Sequence, residues 1–476
     1  MLAVLAALLM ASPAAAETLT LKGVMTGADH QTYREVPFRV PAGTTAVTVE
    51  FSYTGKDQKS VIDLGIRDPQ RFRGWSGGNK ARFTLTETWA TPSYLPGPLP
   101  AGDWKLILGV PNLRKDARAE YVATITLDHS PVFHGFAAAP LKTGPGWYRG
   151  DLHMHTEHSD GSCASQAGKR TPCPLFKTLE AATARGLDFV AVTDHNTTSH
   201  FQDLAELQGY YDALLLIPGR EITTFHGHAN VFGMTGPLDF QLGGPRAPTL
   251  AAILDKVEAA HALISLNHPA QPSGEACMGC GWTAQTDFAR IPAIEAINGA
   301  TTSGPFSGIP FWEARLNAGF HVTAVGGSDN HDAALPPERG VGRPTTVVHA
   351  EALSQDAILA AIRAGHVFVD AQGTRDRLLD VHFEAAGRTA EMGDRVDGAK
   401  GGRLTARVVH AAGGYIRLSG PSAPMLKAAP LGDDDTFNLD LPSGAHGWLR
   451  VDVVGPDGAL WLLGNPIYLD PEPRPR

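Results

Sequence analysis

Apolar and polar residues alternate in short runs over the first part of the chain, as in "TTAVTVEFSY", "WKLILGV" and "YVATITL", with Gly/Pro-rich turns such as "TPSYLPGPLPAGDW" between them. A period of two puts every second side chain on one face of a strand, so residues 17–141 are expected to form an N-terminal β-sandwich domain. From residue 147 to 370 the rhythm changes. Helical patterns now precede short apolar runs: "TLEAATARGL" then "DFVAVT", "LAAILDKVEAAH" then "ALISLN", "FWEARLNAGF" then "HVTAVGG". Repeated alternation of this kind predicts an α/β region with a mainly parallel sheet or barrel. Residues 371–476 return to strand-like text ("LTARVVHA", "GYIRLSG", "GWLRVDVVG") and are expected to form a small C-terminal β-rich domain whose last residues, "PEPRPR", are loose.

The first sixteen residues, "MLAVLAALLMASPAAA", break this pattern. They are an apolar run closing on small residues, with Ala14 and Ala16 at the positions a signal peptidase reads, so residues 1–16 are expected to be a signal peptide and the protein to be exported, periplasmic or secreted. No later segment is apolar over the ~20 residues a membrane-spanning helix needs. Four cysteines, Cys163, Cys173, Cys277 and Cys280, suit export, because an even number can pair fully in an oxidising compartment. Three connectivities are open, and the Cys277/Cys280 pair could alternatively hold zinc or act as a redox couple. With 43% hydrophobic and 19% charged residues the 476-residue chain is of ordinary globular composition. Its formal charge of -9, without Lys/Arg runs, lacks the footprint of a nucleic-acid binder.

Candidate chemistry is confined to the middle region, where each apolar run ends on His, Asp or Glu. "WYRGDL" delivers His153 and His155, "DFVAVTD" delivers His195, "LLLIPGR" delivers Glu221, "ALISLN" delivers His268, and "HVTAVGGS" delivers Asp329 and then His331. Parallel barrel strands point the same way, so residues just past their C-terminal ends converge on one face. His-x-His sends both imidazoles to the same side, and with carboxylates from other strands they make a divalent-metal shell. The nine candidates, His153, His155, Asp160, His195, Glu221, His228, His268, Asp329 and His331, are too many for one ion and predict two or three, with Glu221 or Asp329 as bridge. Asp160 has a competing role as cap of the turn in "SDGS". Asp194 is expected behind the shell, orienting an imidazole. His158, His200, His226, His261 and His321 are read as structural or loop residues.

The motifs "DLHMHTEHSDG", "VTDHN", "GREIT", "NHPA" and "GGSDNHD", in this order and spacing, resemble the polymerase and histidinol phosphatase (PHP) superfamily over residues 147–370. That resemblance implies a distorted (β/α)7 barrel holding up to three Zn, Mn or Fe ions at the strand C-termini, in a family whose members mostly hydrolyse phosphoesters. The flanking text looks like the branch containing carbaryl hydrolases (CehA/McbA-like), which cleave a carbamate ester. Some relatives carry His where this chain has Asp160.

A metal shell of this kind acidifies a bound water, which attacks P or C=O while the metals hold the developing oxyanion. His228 or Asp329 is expected to move the proton to the leaving group. No G-x-S-x-G elbow is present to suggest a serine hydrolase. Three readings follow for a small-molecule ester substrate. A phosphoesterase would place cations beside the metals, and Arg220, Arg339 and Arg343 are the candidates. A carboxyl- or carbamate-ester hydrolase would want an apolar pocket, and "GPFSGIPFW" with Trp282 supplies aromatics. A non-catalytic binding protein is the third.

Overall fold

Alternation builds the first eight strands: β1 (Glu17–Thr26), β2 (Tyr33–Val40), β3 (Ala46–Tyr53), β4 (Val61–Arg67), β5 (Phe72–Gly77), β6 (Arg82–Thr86), β7 (Gly102–Asn112) and β8 (Arg118–Asp128). They pair as two antiparallel sheets, β1-β8-β3-β6 and β2-β7-β4-β5. Their inward residues, among them Val47, Val49, Trp104, Leu106, Leu108, Ile125 and Leu127, meet in one core. The structure is a computed structural model and describes residues 16–130, 135–275, 277–385, 387–425 and 429–470. Of the expected signal peptide all but Ala16 lies outside the described residues, as does the terminal "PEPRPR". The chain divides into two compact units, Met1–Phe133 and His134–Arg476.

The second unit is organised by one large sheet. Its strands begin with β9 (Lys142–Asp151) and, after a small hairpin of β10 (Ser162–Ala164) and β11 (Arg170–Pro172), continue through β12 (Phe189–Val192), β13 (Leu215–Thr224), β14 (Gly227–Phe232), β15 (Leu263–Leu266), β16 (Ala293–Asn298), β17 (Thr323–Gly327), β18 (Thr345–Leu353) and β19 (Val367–Asp370). Five helices, α1 (Leu175–Arg185), α2 (Phe201–Leu207), α3 (Leu250–Ala259), α4 (Gly308–Asn317) and α5 (Gln355–Ala364), connect them among the described residues. Local chemistry sets their ends: Thr249, Ser307 and Ser354 cap α3, α4 and α5 through their side chains, and α1 and α5 stop at left-handed Gly186 and Gly365.

The sheet order is β17-β16-β15-β14-β13-β12-β9-β18-β19, and the pairing is mixed. β9, β12 and β13 run parallel, as do β15, β16 and β17, whereas β14 is antiparallel to both β13 and β15, and β18 to β9. The unit is thus sheet-rich, and a regular parallel alternation is interrupted where "TTFHGH" folds β13 back on β14 without a helix. Residues beyond β9 and β17 meet: Asp329 N–H donates to His153 C=O (2.9 Å) and His155 N–H to Asn330 C=O (2.8 Å). The row from β9 through β17 therefore joins its own ends at the rim where the motifs lie.

Past residue 370 the chain adds β20 (Leu378–Ala385), β21 (Arg388–Glu391), β22 (Gly402–Val409), β23 (Tyr415–Ser419), β24 (Asp434–Leu441), β25 (Trp448–Val454), β26 (Leu460–Gly464) and β27 (Ile467–Tyr468). Four of these form a separate sheet, β21-β20-β22-β24, but β26 pairs with β19 and carries β25 and β23 onto the large sheet. Strands from the 371–476 segment thus extend the sheet that bears the motifs.

Candidate metal centre

Both cysteine pairs are closed locally, Cys163 to Cys173 and Cys277 to Cys280. The first staples the hairpin that follows "HSDG". The second closes a four-residue loop after "NHPA".

All nine predicted ligands converge on the joined rim. His153 and His155 lie just past β9, His195 past β12, His268 past β15, and Asp329 and His331 past β17. Glu221 and His228 differ in that they sit inside β13 and β14, two residue pairs apart across the hairpin and so on the same face (Glu221 opposes Asn230, Thr223 opposes His228). Glu221 is the hub. Its oxygens lie 2.8 Å from His195 Nδ1, 3.3 Å from His228 Nδ1, 3.4 Å from His268 Nε2, 3.5 Å from His153 Nε2 and 3.6 Å from His155 Nε2. Asp329 Oδ1 lies 3.0 Å from His155 Nε2 and 3.3 Å from His153 Nε2. Asp160, whose side chain is 59% exposed, stands at the outer edge, 3.3 Å from His331 Nε2 and 3.8 Å from His195 Nε2.

The spacings of 3.3–3.6 Å suit metal ions better than hydrogen bonds. Ligands ~2.0–2.2 Å from one tetrahedral ion sit roughly 3.3–3.6 Å from each other. Three overlapping groups each bring their ligand atoms within 4.8 Å of one another: His153/Glu221/His268, His153/His155/Asp329 and His155/Asp160/His195/His331. His153 Nε2, His155 Nδ1, Glu221 Oε2 and His268 Nδ1 are buried polar atoms with no hydrogen-bond partner among the described residues. Leaving several such atoms unsatisfied is costly, and a bound cation removes the cost for those aimed at it.

Other residues fix the rings. Glu295 on β16 was not among the predicted site residues: its Oε1 is 2.9 Å from His153 Nδ1, and its Oε2 accepts from the His268 backbone N–H (2.8 Å) and from Asn298 Nδ2 (3.1 Å). Asn267 Nδ2 donates to Glu221 Oε1 (2.9 Å) and Asn298 Nδ2 to Asp329 Oδ2 (3.2 Å). The signal was present in "AIEAIN", an acid embedded in an apolar strand, which survives burial only with partners. Gly327 allows the close approach at the seam, since a Cβ there would lie 2.3 Å from His153 Cβ and 2.6 Å from Glu295 Oε1. Asp329 (φ 51°) and His268 (φ 27°) hold left-handed backbone, a strain that persists where surrounding contacts over-determine it.

Electrostatics reflect this crowding. Burial opposes ionisation of Glu221 and Asp329, yet the imidazoles around them override it and hold both carboxyls well below the usual range. At the outer edge burial disfavours the His331 cation, but its bond to Asp160 wins and raises the ring to about 9, while Asp160, bonded to His331, falls to about 2. With His331 raised and Asp160 lowered, the pair stabilises the metal-free protein fully between the unfolded values near 3.8 and 6.5, and that contribution is lost as pH climbs through about 9 or falls through about 2. An ion entering this corner must displace the His331 proton. Its apparent affinity should therefore rise roughly tenfold per pH unit and flatten above about 9. Zinc titrations of the metal-free chain at stepped pH check this, and His331→Asn should lower the slope by about one proton.

Several expected roles are corrected by the geometry. Asp194 does not back a ligating imidazole. Its oxygens accept from Thr156 N–H (2.8 Å), Thr156 Oγ1 (2.7 Å) and Ser159 Oγ (2.6 Å), so it shapes the turn before Asp160. Arg220 is buried on the opposite face of β13 from Glu221, as adjacent strand residues must be, and donates to the carbonyls of Met234 (2.8 Å) and Gly236 (2.5 Å). Arg339 is exposed on the loop between β17 and β18, without a hydrogen bond or ion pair to the cluster among the described residues. Arg343 is half-buried and acts electrostatically on Arg185, whose Nη2 donates to Gly373 C=O (2.5 Å). Trp312 is wholly buried and donates to Val322 C=O (2.7 Å), so it belongs to the core.

A pocket of about 520 Å³ adjoins the cluster, walled by Phe225, Phe240, Leu242 and Met278 with Asn196 and Thr223. Thr223 Oγ1 is 2.6 Å from His195 Nδ1, and Met278 C=O is 3.1 Å from His228 Nε2, which ties this wall to two candidate ligands.

No protein-family model matches the chain, and no curated protein matches it. Among solved structures it is similar to a two-domain Bacteroides vulgatus protein "containing predicted PHP-like metal-dependent phosphoesterase", at 19% identity and a TM-score of 0.38, over 67% of this chain and 96% of that one. A Bifidobacterium adolescentis protein provisionally assigned as a metal-dependent phosphoesterase matches at 17% identity and a TM-score of 0.29, over 44% and 92%. PliG of Salmonella Typhimurium, a periplasmic inhibitor of g-type lysozyme, matches at 16% identity and a TM-score of 0.14, over 23% and 87%. Likenesses this distant leave reaction and substrate to the residues of this chain.

Proposed function

We propose that the chain is a metal-dependent hydrolase of the PHP superfamily, with two or three divalent ions of the Zn, Mn or Fe type held by His153, His155, Asp160, His195, Glu221, His228, His268, Asp329 and His331. The observation that carries this reading is the buried hub at Glu221, where His153 Nε2 and Glu221 Oε2 face each other at 3.5 Å, both without a hydrogen-bond partner among the described residues. Ions bound there would supply Lewis acidity and a water acidic enough to deprotonate near neutral pH.

The chain's own groups do the rest. Glu221 spans the corners of the site, Asn267 and Asn298 hold its carboxylates in place, and Glu295 sets the His153 ring. His228, bonded to Met278 of the pocket wall, and Asp329 are the groups assigned to move a proton to the leaving group. The first reading of the substrate is a phosphoester, because several ions can share the charge of its oxygens. The second is an uncharged carboxyl or carbamate ester of the carbaryl hydrolase-like branch. What favours it is the apolar pocket beside His195 and His228, together with the engagement of Arg220 by the carbonyls of Met234 and Gly236. In both cases the pocket wall of Phe225, Phe240, Leu242 and Met278 would receive an apolar leaving group. Closed cysteine pairs and the residue 1–16 pattern support an exported protein.

One panel tests this. The metal-loaded chain is assayed on aryl phosphate, aryl phosphodiester, aryl acetate and aryl methylcarbamate, with a chelator and His153→Ala as controls. Turnover of the phosphates alone removes the second reading, and turnover of acetate or carbamate alone removes the first. A metal-loaded protein inert on all four would favour a binding protein and overturn the proposal.

A further inference from the structure

Cys280 is wholly buried, and its sulfur lies beside two of the predicted ligands: a ligand atom from each of His228, His268 and Cys280 falls within 4.8 Å of the others. The loop that delivers it is fixed from two directions. Met278 C=O accepts from His228 Nε2 (3.1 Å), leaving Nδ1 of that ring toward Glu221. Gly279, at φ 80°, packs so closely on the β13–β14 turn that a Cβ would lie 2.2 Å from Thr224 C=O. His268, buried to 5% exposure, keeps an Nδ1 without a hydrogen-bond partner among the described residues. The cysteine loop is therefore seated against the metal cluster, whereas the Cys163–Cys173 pair closes a hairpin whose strands only flank it.

We propose that Cys280, released from Cys277, is a thiolate ligand at the corner held by His228 and His268, so that the Cys277–Cys280 pair couples thiol redox state to metal binding. The inference rests on the metal-centre reading above. The step balances as a disulfide exchange: an external dithiol breaks the Cys277–Cys280 bond and leaves as its own disulfide, and two S–H groups appear on the protein. The Cys280 proton then passes to solvent as its sulfur binds the ion. Adding a soft sulfur donor to imidazole and carboxylate ligands shifts preference toward zinc or cobalt and away from manganese. In the oxidised chain the corner offers only nitrogen and oxygen.

Cobalt(II) is the probe, because thiolate ligation gives an intense near-ultraviolet charge-transfer band that imidazole and carboxylate do not. Cys277→Ser leaves Cys280 free without added reductant. Cys280→Ser removes the ligand while losing the same disulfide, so damage from the missing cross-link is equal in both. The band should appear in cobalt-loaded Cys277→Ser and in dithiol-reduced wild type, and be lost in Cys280→Ser and in oxidised wild type. Visible d–d bands without the charge-transfer band in Cys277→Ser would overturn this inference and leave the metal centre standing. An equal band in Cys280→Ser would overturn the assignment to Cys280. No d–d band in any form, oxidised wild type included, would overturn both this inference and the metal-centre reading.

Discussion

Glu221→Gln is expected to reduce kcat/KM by at least roughly a thousandfold, about 4 kcal/mol of transition-state stabilisation, and to lower the number of ions retained per chain. The size follows from the hub geometry. One carboxylate approaches five imidazoles, from His195 at 2.8 Å to His155 at 3.6 Å, so neutralising it removes a ligand from more than one corner at once. Glutamine keeps the volume and can still face Asn267, which limits collapse of the buried site. Glu221→Ala would in addition leave the imidazoles without their counter-charge, and removing one partner from a buried ionic cluster costs about 3–5 kcal/mol of stability. Metal content by elemental analysis, measured beside activity, separates the two effects. A Glu221→Gln chain that kept full metal content and activity within tenfold of wild type would contradict the metal-centre reading.

The second large effect is expected at Glu295, which touches no reacting group. Its Oε1 is 2.9 Å from His153 Nδ1, so it holds that ring in the tautomer that leaves Nε2 free toward Glu221 and Asp329. Outer carboxylates in this position are worth roughly 10- to 100-fold in metal affinity. Glu295→Gln can retain acceptance from His268 N–H only with one oxygen, and its amide nitrogen would face either His153 or two donors. Metal affinity should fall within that range, and excess zinc should restore most of the turnover. A purely structural role would instead lower stability without moving the zinc dependence, which a titration followed by activity distinguishes.

The cluster of candidate ligands is legible in the sequence because it depends on a simple rule: residues just past the ends of neighbouring strands converge. His153, His155, His195, His268, Asp329 and His331 obey it. The same period of two argued against Arg220, since a neighbour of an inward Glu221 must point outward, and its cation is accordingly spent on the carbonyls of Met234 and Gly236. Asp194 was misread for a subtler reason. Adjacency to His195 suggested support for a ring, whereas its oxygens are taken by Thr156 and Ser159, contacts across chain segments that spacing does not reveal. The mixed direction of the sheet was hidden likewise. "TTFHGHANVF" carries no strong hairpin dipeptide, so the antiparallel return of β14 follows from long-range pairing with β13 and β15. Glu295 was visible as an acid inside an apolar run, but its target could be named only once β16 stood beside β15 and β17.

One feature of the sheet reaches beyond catalysis. The two ends of the strand row touch through segments 153–155 and 328–330, and these same segments carry His153, His155 and Asp329. A cation gripping those three side chains would act as a rivet across the place where the ring is fastened. Backbone amides of Asp329 and His155 should then exchange with deuterium far more slowly in metal-loaded protein than after chelation, while those of β3 and β8 in the first unit keep the same rate.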